Sequence, residues 1–571
     1  MKSKHISLTI MAVMLIAAFV LGACILITPA ASADTSTFSA ENAATYLKVI
    51  SSKPHSVFDA EAHEEVRQYL KNTLTDMGLT VEEHDWNKED LDFTGALNED
   101  GTLDKTKPIE YDIHNLWVTI PGKSETGMLL MAHYDSRGHT NPERDEGGSY
   151  GAADDGFGVV TLLELAQLYA SVPKEQLETS LYFCFTDAEE TGMFGAKLEA
   201  RDNQIVKDHV NFVMNVEARG VRGPAFMFET SKKNEKVMEL YAKAKLPATY
   251  SVATAVYSVM TNFTDFTAML DIGKAGVNFS TLDNINYYHV PEDNFSNISK
   301  DSIQHYGEQI VPMIEEYTSS AKYADMNYFN GEKDAVFFNI LPGVLARYSE
   351  DTAIYLTALG VLLYVVALAV AFRAGKLKAK RMLAALAIVL GAVVLAAALG
   401  FGISYLTALI VGNPWNLTYL RVPSAGVPFA VSFAVVFILE LVFCFKKFKK
   451  NTTAAADFLA AGLGLNIVLA ALTTFTLSGA SFLFFWPAFV GSAALVVWAS
   501  VQNFALRHVF FSLANIITML IYVPLLYALF LAVTIGGLLA LNLLFAFALS
   551  VILPVCFLQG GLRTKKDAVN A

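Results

Sequence analysis

Three pairs of residues within Met131–Gly195 have the types and spacing to do chemistry together: His133 with Asp135, Asp154 with Asp155, and Glu189 with Glu190. Each pair lies where an apolar run meets a polar loop. Carboxylates held this close repel, and burying them costs on the order of several kcal/mol unless positive charge is present. One divalent cation, or a pair, is the simplest remedy. Glu217, directly after NFVMNV, and His289, in the loop NYYHVPEDN, add a further acid and a further imidazole. Two cations about 3.5–4 Å apart would supply a bridging hydroxide and bind the oxyanion formed when an amide is attacked. Imidazole and carboxylate donors without thiolate suit catalytic zinc with open positions. Amide hydrolysis also needs one carboxylate left unligated, to take the water's proton and return it to the leaving amine.

The elements that must position these residues are legible from periodicity. Ala60, His63, Val66, Leu70 and Leu74 recur at helical spacing, which predicts a helix over 59–77 ended by Gly78. LTVEEHDW and residues 115–120 read as strands. Residues 128–133 form a buried strand that delivers His133 at its carboxyl end. Residues 158–169 read as a helix, and 180–186 and 211–216 as buried strands running into Asp187–Glu190 and Glu217. Strands alternating with helices predict an α/β sheet with helices on both faces. In such sheets ligands bind beyond the carboxyl ends of the strands, which places His133, Glu190 and Glu217 on one edge.

Taken singly, the same residues have plainer roles. His139, His209 and His305 read as ordinary satisfied polar residues. Asp154–Asp155 also fits a helix cap before Gly156, and Glu189–Glu190 also fits a solvated acidic pair. Asp135, two residues beyond His133, is placed to bond the other imidazole nitrogen and set its tautomer. The coincidence of the clusters on one sheet edge argues for a site.

Together the motifs HYDS, GAADD, DAEETGMFGA, NVEARG and YYHVPED, spread over about residues 40–320, resemble the co-catalytic zinc exopeptidases. That family includes bacterial leucyl aminopeptidase, aminopeptidase Y and the membrane metallopeptidases of the endoplasmic reticulum and vacuole. The resemblance implies a mixed-sheet, phosphorylase/hydrolase-like fold and two zinc ions. It implies that His133, Asp154 and Glu217 hold one zinc, that Asp154, Glu190 and His289 hold the other, and that Asp154 bridges them. Glu189 is then the general base, and Asp135, Asp155 and Asp293 support the ligands. A cis peptide between Asp154 and Asp155 is also implied. Tyr287 and Tyr288 are both candidates for steadying the oxyanion, and Thr264–Asp265–Phe266 falls where relatives line the substrate pocket. A related branch cyclises glutaminyl peptides on the same fold with a single zinc; the presence of both His133 and Glu217 favours the two-metal hydrolase. A free α-amine bound near the second metal would give aminopeptidase selectivity. The competing reading is a catalytically silent peptidase fold serving as a receptor or transport-associated module. Such a module should have lost a ligand or the base, and this chain retains all six positions.

At 571 residues the chain is too long for one ordinary domain. Its composition divides it into 1–30, a transmembrane anchor; 31–325, the zinc peptidase ectodomain; 326–350, an interfacial linker; and 351–571, a seven-span membrane domain with a cytoplasmic tail. The net charge of −13 argues against nucleic acid as a partner, because phosphate binding needs a basic face. Cys24, Cys184, Cys444 and Cys556 set out no disulfide framework. Residues 6–27 are long enough to span a bilayer. Ala-Ser-Ala before Asp34 also resembles a signal-peptide cleavage site, but the apolar run is longer than a signal's, so a retained anchor is expected. Seven further spans are expected at about 352–372, 382–410, 427–445, 455–474, 480–500, 510–533 and 538–558. The basic clusters Lys2/Lys4, 373–381, 446–450, Arg507 and 563–566 then all fall on one side. That side is cytoplasmic by the positive-inside rule, which puts the ectodomain outside and both termini inside. A bacterial cell membrane is the expected location, with peptide substrate and lipid bilayer as partners. Glu440 and Asp457 fall near the cytoplasmic ends of their spans, and the spans are expected to anchor and pack. The triplets beginning at Asn262, Asn294 and Asn416 would permit glycosylation in a secretory pathway.

Overall fold

The computed structural model describes residues 2–97, 103–138, 148–257, 263–418, 420–422, 424–448 and 452–561. His139, Asn262, Lys449, Lys450 and Arg563–Lys566, named above, lie outside these. The chain divides into two compact units, one of residues 27–249 with 256–335, the other of 1–26 with 250–255 and 336–571.

The first unit is built on seven strands: β1 (Val81–Trp86), β2 (Ile113–Ile120), β3 (Ser124–His133), β4 (Thr179–Thr186), β5 (Val210–Ala218), β6 (Arg222–Thr230) and β7 (Gly276–Asp283). They lie in the order β1-β2-β4-β3-β5-β7-β6. The central four, β4, β3, β5 and β7, run parallel; β2 and β6 pair antiparallel with β4 and β7, and β1 antiparallel with β2. Parallel strands covered on both faces show unbroken apolar runs rather than alternation; β4 and β5 are buried along their whole length. The helix Gly156–Ala170 is apolar all round because it packs between the sheet and the helices Ala40–Ile50 and Lys300–Ser319. Its one buried acid, Glu164, accepts from the Ser39 N–H at 3.1 Å and from Asn42 Nδ2 at 2.8 Å. A separate layer joins Leu129, Met131, Tyr182 and Cys184 to Phe266 and Met269.

β7 is not marked by an apolar run. β7 carries Asn278, Ser280 and Thr281 inside the unit, each buried and hydrogen-bonded. The parallel strands end together, with His133 in register with Thr186 and Glu217 with Ser280. The carboxyl edge of the sheet therefore gathers the residues that the sequence singled out.

Among the described residues of the second unit, eight helices are long and apolar enough to cross a membrane. They are α1 (Lys2–Cys24), α2 (Glu350–Arg373), α3 (Ala379–Val411), α4 (Gly426–Phe448), α5 (Thr452–Thr476), α6 (Ser481–Ser500), α7 (Phe504–Val533) and α8 (Leu538–Gly560). Residues 335–341 and 344–349, the expected interfacial segment, form a two-stranded sheet. The junctions α2/α3, α4/α5 and α6/α7 meet at one end of the bundle. There Arg381 pairs with Asp457 at 2.8 Å, and Lys376 and Arg507 both donate to the Trp498 carbonyl, at 2.8 and 3.0 Å. The helix α1 packs against α7. A Cβ on Gly22 would lie 3.1 Å from the Val523 side chain, so only glycine permits this approach without a shift. A buried polar chain also fastens α1: Ser7 Oγ lies 2.9 Å from His508 Nε2, His508 Nδ1 lies 3.1 Å from Gln559, and Gln559 donates to Ser512 at 3.0 Å.

Candidate active site

His133 closes β3 with its ring buried. Its Nδ1 lies 2.9 Å from the Asp135 carbonyl oxygen, which can only accept, so Nδ1 carries the proton. Its Nε2 is then a lone pair, and it faces Asp154 Oδ1 at 3.3 Å and Glu217 Oε2 at 3.7 Å without a hydrogen-bond partner. Acceptors converging on one buried point need a cation among them. The arrangement repeats on the other side of Asp154. His289 Nε2 lies 3.1 Å from Asp154 Oδ2 and 3.3 Å from Glu190 Oε2. Two donor triads result, His133–Asp154–Glu217 and Asp154–Glu190–His289, each with its donor atoms within 4.8 Å of one another. Asp154 belongs to both, one oxygen to each.

Local structure explains these positions. Asp155 Oδ1 caps the helix Gly156–Ala170 by accepting from the Gly158 N–H at 3.0 Å. The plain reading of the aspartate pair therefore holds for Asp155, while Asp154 faces the cluster. The peptide between them is cis, as the resemblance implies. The Asp293 carboxylate accepts from the N–H groups of Ala153 at 2.7 Å and Asp154 at 3.2 Å, and from Ser149 Oγ at 3.2 Å, so it steadies the backbone that carries Asp154. Asp135 supports the site differently from expectation. Its backbone oxygen, not its carboxylate, is the near acceptor for His133, the carboxylate standing at 3.4 Å. The carboxylate instead accepts from the N–H groups of Glu189 and Glu190, at 3.0 and 3.2 Å. The turn that carries those glutamates is flanked by left-handed residues, Ala188 and Met193. It is tied down further by Asp187, which pairs with His63 Nε2 at 2.9 Å and accepts from the His114 N–H at 2.9 Å.

Glu189 belongs to neither triad. Its side chain is partly exposed on the cluster's face, and burial together with the Glu217 and Glu190 carboxylates pushes its pKa well up. Burial likewise raises Asp155 and Glu190. Protonated His133 and His289 rings would carry the buried Asp154 carboxyl below the usual range. The carboxyls of Asp154, Asp155, Glu189, Glu190 and Glu217 outnumber Arg137, whose guanidinium lies 3.3 Å from Glu190 Oε2 and also meets the Glu190 carbonyl. Of the two tyrosines, Tyr288 stacks on His289, with ring centroids 3.6 Å apart. Burial raises its phenol well above the ordinary value, with Asp154 and Glu190 adding to the effect, and the Arg219 guanidinium stands 5.6 Å from its ring centre.

Sequence reasoning missed several supporting residues. Arg137 carries no spacing signal. Asn215 does: it is a polar residue in the middle of the apolar NFVMNV. It donates to Glu217 Oε1 at 3.2 Å and to Asn278 Oδ1 at 3.1 Å, and Asn278 in turn donates to Glu229 at 3.0 Å and Thr264 at 2.8 Å. Asp265 of the Thr264–Phe266 segment is fully buried and meets the Thr186 hydroxyl. His305 is satisfied on both ring nitrogens by backbone, and His209 stands 3.7 Å from Glu125, in keeping with their plain readings.

The fit of a divalent metal can be judged from the donors themselves. His133 Nε2, Asp154 Oδ2 and Glu190 Oε1 are all buried without a hydrogen-bond partner, and all three belong to the triads. Nitrogen and oxygen donors in this ratio suit zinc.

Residues 115–314 match the profile of Peptidase family M28. That segment is similar to the M28 peptidases. Similar proteins include the vacuolar membrane protease of Candida dubliniensis, 26% identical over 263 residues, covering 45% of this chain and 26% of the relative. Endoplasmic reticulum metallopeptidase 1 of Mus musculus is 26% identical over 252 residues, covering 42% and 26%. The match thus spans about a quarter of the length of these relatives. A Zn-dependent exopeptidase from Parabacteroides distasonis aligns with a TM-score of 0.38 and 19% identity, over 49% of this chain and 98% of its own. The M28 match takes in His133, Asp154, Glu189, Glu190, Glu217 and His289, and no part of α1–α8.

Proposed function

We propose that the chain is a membrane-anchored metallopeptidase that holds two zinc ions and removes N-terminal residues from peptides outside the cytoplasm. The observation that carries this reading is the pair of donor triads sharing Asp154, with the His133 Nε2 lone pair facing acceptors only. The M28 match supplies the reaction class, and the eight apolar helices agree with relatives named as membrane proteases.

On this reading His133, Asp154 and Glu217 hold one zinc, and Asp154, Glu190 and His289 the other. Zinc bound there would polarise a peptide carbonyl and make water acidic enough to attack near neutral pH. The chain's own groups do the rest. Glu189, outside both triads, takes the proton from the attacking water and delivers it to the leaving nitrogen. The Asp135 carboxylate holds Glu189 and Glu190 by their backbone N–H groups, so base and ligand keep a fixed spacing. Tyr288, stacked on His289, directs its phenol towards the oxygen that gains charge. The surplus of carboxyls favours an α-ammonium over a blocked N-terminus. The orientation rests on the basic residues at one end of the bundle. The buried Ser7–His508–Gln559 chain supports α1 as a permanent member of the bundle.

The test is hydrolysis of aminoacyl amides and their N-acetylated counterparts by the full-length protein in nanodiscs, with zinc restored after chelation. Zinc-dependent release from free-amine substrates alone is expected. Equal cleavage of acetylated substrates would overturn the aminopeptidase assignment, and two bound zincs without turnover would overturn the enzyme reading.

A further inference from the structure

A cavity of about 360 Å³, open on one side where Leu395, Leu439 and Phe443 are exposed, lies in the membrane unit among α3, α4, α5 and α8. That is the size of a small-molecule site. Its walls are hydrocarbon, from residues such as Leu395, Val436, Phe443 and Leu549. The polar side chains among its lining residues are Glu440, Cys444 and Ser550, and the Ser550 hydroxyl already donates to the Phe547 carbonyl at 2.7 Å. Glu440 is different. Its Oε1 is buried without a hydrogen-bond partner, and no lysine, arginine or histidine is among the lining residues. Asp457 of α5, by contrast, has Arg381 at 2.8 Å. An intramembrane acid with one oxygen unpartnered among the described residues is a functional-site candidate, and its complement is a cation.

The shape of the cavity narrows the ligand. Glu440 precedes Lys446, at the basic end of α4, by about 9 Å of helix, and the lining along α3 from Ile388 to Leu399 covers about 16 Å. The carboxyl thus sits nearer the basic end, and the apolar space runs on towards the middle of the bundle. A hydrophobic peptide would bring N–H and C=O groups that these walls cannot satisfy. A hydrocarbon chain brings none.

We propose that this cavity binds a long-chain primary amine, its ammonium against Glu440 and its hydrocarbon chain along α3 and α8. The inference is independent of the peptidase reading.

The test uses the full-length protein in phosphatidylcholine nanodiscs and a diazirine-tailed dodecylamine, beside the alcohol and the carboxylate of the same length. Saturable labelling of α3, α4 or α8 by the amine is expected, about tenfold tighter than by the alcohol or the acid. Glu440→Gln should bring the amine down to the level of the alcohol, and Ala392→Phe, which fills the cavity, should abolish labelling by all three. Competition by phosphatidylethanolamine would name a bilayer lipid as the source of the amine; competition by single-chain amines alone would name a free amphiphile. Equal labelling by the three head groups, or an unchanged Glu440→Gln in a protein of normal elution and helix content, would overturn the proposal.

Discussion

Glu189 and Glu190 are adjacent, chemically identical and differently employed. Glu190 faces His289 and Arg137, and Glu189 stands outside both triads. Glu189→Gln should therefore lower kcat by about 10²–10⁴ while metal analysis still finds two zincs per chain. His133→Ala should do the reverse at the metal and lower the zinc content towards one per chain. Asp135→Asn tests the less obvious contact. The amide offers one acceptor oxygen where the carboxylate offers two, so either Glu189 or Glu190 loses its backbone anchor. Activity should fall by about tenfold or more with the fold intact by circular dichroism. The acids and imidazoles of the triads were legible in the sequence because several clusters fell at strand ends together. The role of Asp135 was half legible: its proximity to His133 could be read, but backbone oxygen and carboxylate cannot be told apart by spacing. Arg137 was not legible at all, since an arginine in a polar loop is usually solvated.

The elements hold these residues through caps and close approaches. A Cβ on Gly158 would lie 2.3 Å from Asp155 Oδ2 and 2.6 Å from the Val216 carbonyl. Gly158→Ala should unhook the Asp155 cap, which costs about 1–2 kcal/mol, and should displace Asp154 next to it. Lower thermal stability with weakened zinc binding is the expected pair of readings. The helix Lys300–Ser319 makes a pH prediction. His305 Nδ1 accepts from the Ala225 N–H at 3.0 Å and its Nε2 donates to the Leu246 carbonyl at 2.8 Å, so the neutral ring is satisfied. Burial lowers its pKa from 6.5 to about 4. The unfolded imidazole takes up a proton first as pH falls, so stability is full above 6.5 and declines through about 4. The loss amounts to roughly 3 kcal/mol, at 1.36 kcal/mol per pKa unit. Denaturant unfolding of the wild type should weaken over that window more steeply than that of His305→Gln. The apolar strands β3, β4 and β5 could be read from the sequence. β7 escaped because its buried Asn278, Ser280 and Thr281 look like loop residues until their partners on β5, β6 and neighbouring segments are known.

At the scale of the molecule, the eight spans were legible in full, because length and hydropathy alone define them. What periodicity could not supply is which spans touch. The link from Ser7 to His508 and Gln559 joins α1 to α7 and α8. Intramembrane hydrogen bonds contribute about 0.6 kcal/mol each, so the double variant His508→Ala/Gln559→Ala should weaken this joint measurably. With a protease site placed in residues 27–38, the severed α1 should co-purify with the remainder of the wild type and be lost from the double variant. The same joint bears on how the protein is made. Ser7 and its partner His508 stand 501 residues apart along the chain. Helix α1 must therefore wait, one face unfilled, until the α/β unit and the five helices α2–α6 have been made. A message truncated before α7 yields a helix α1 with nowhere to dock.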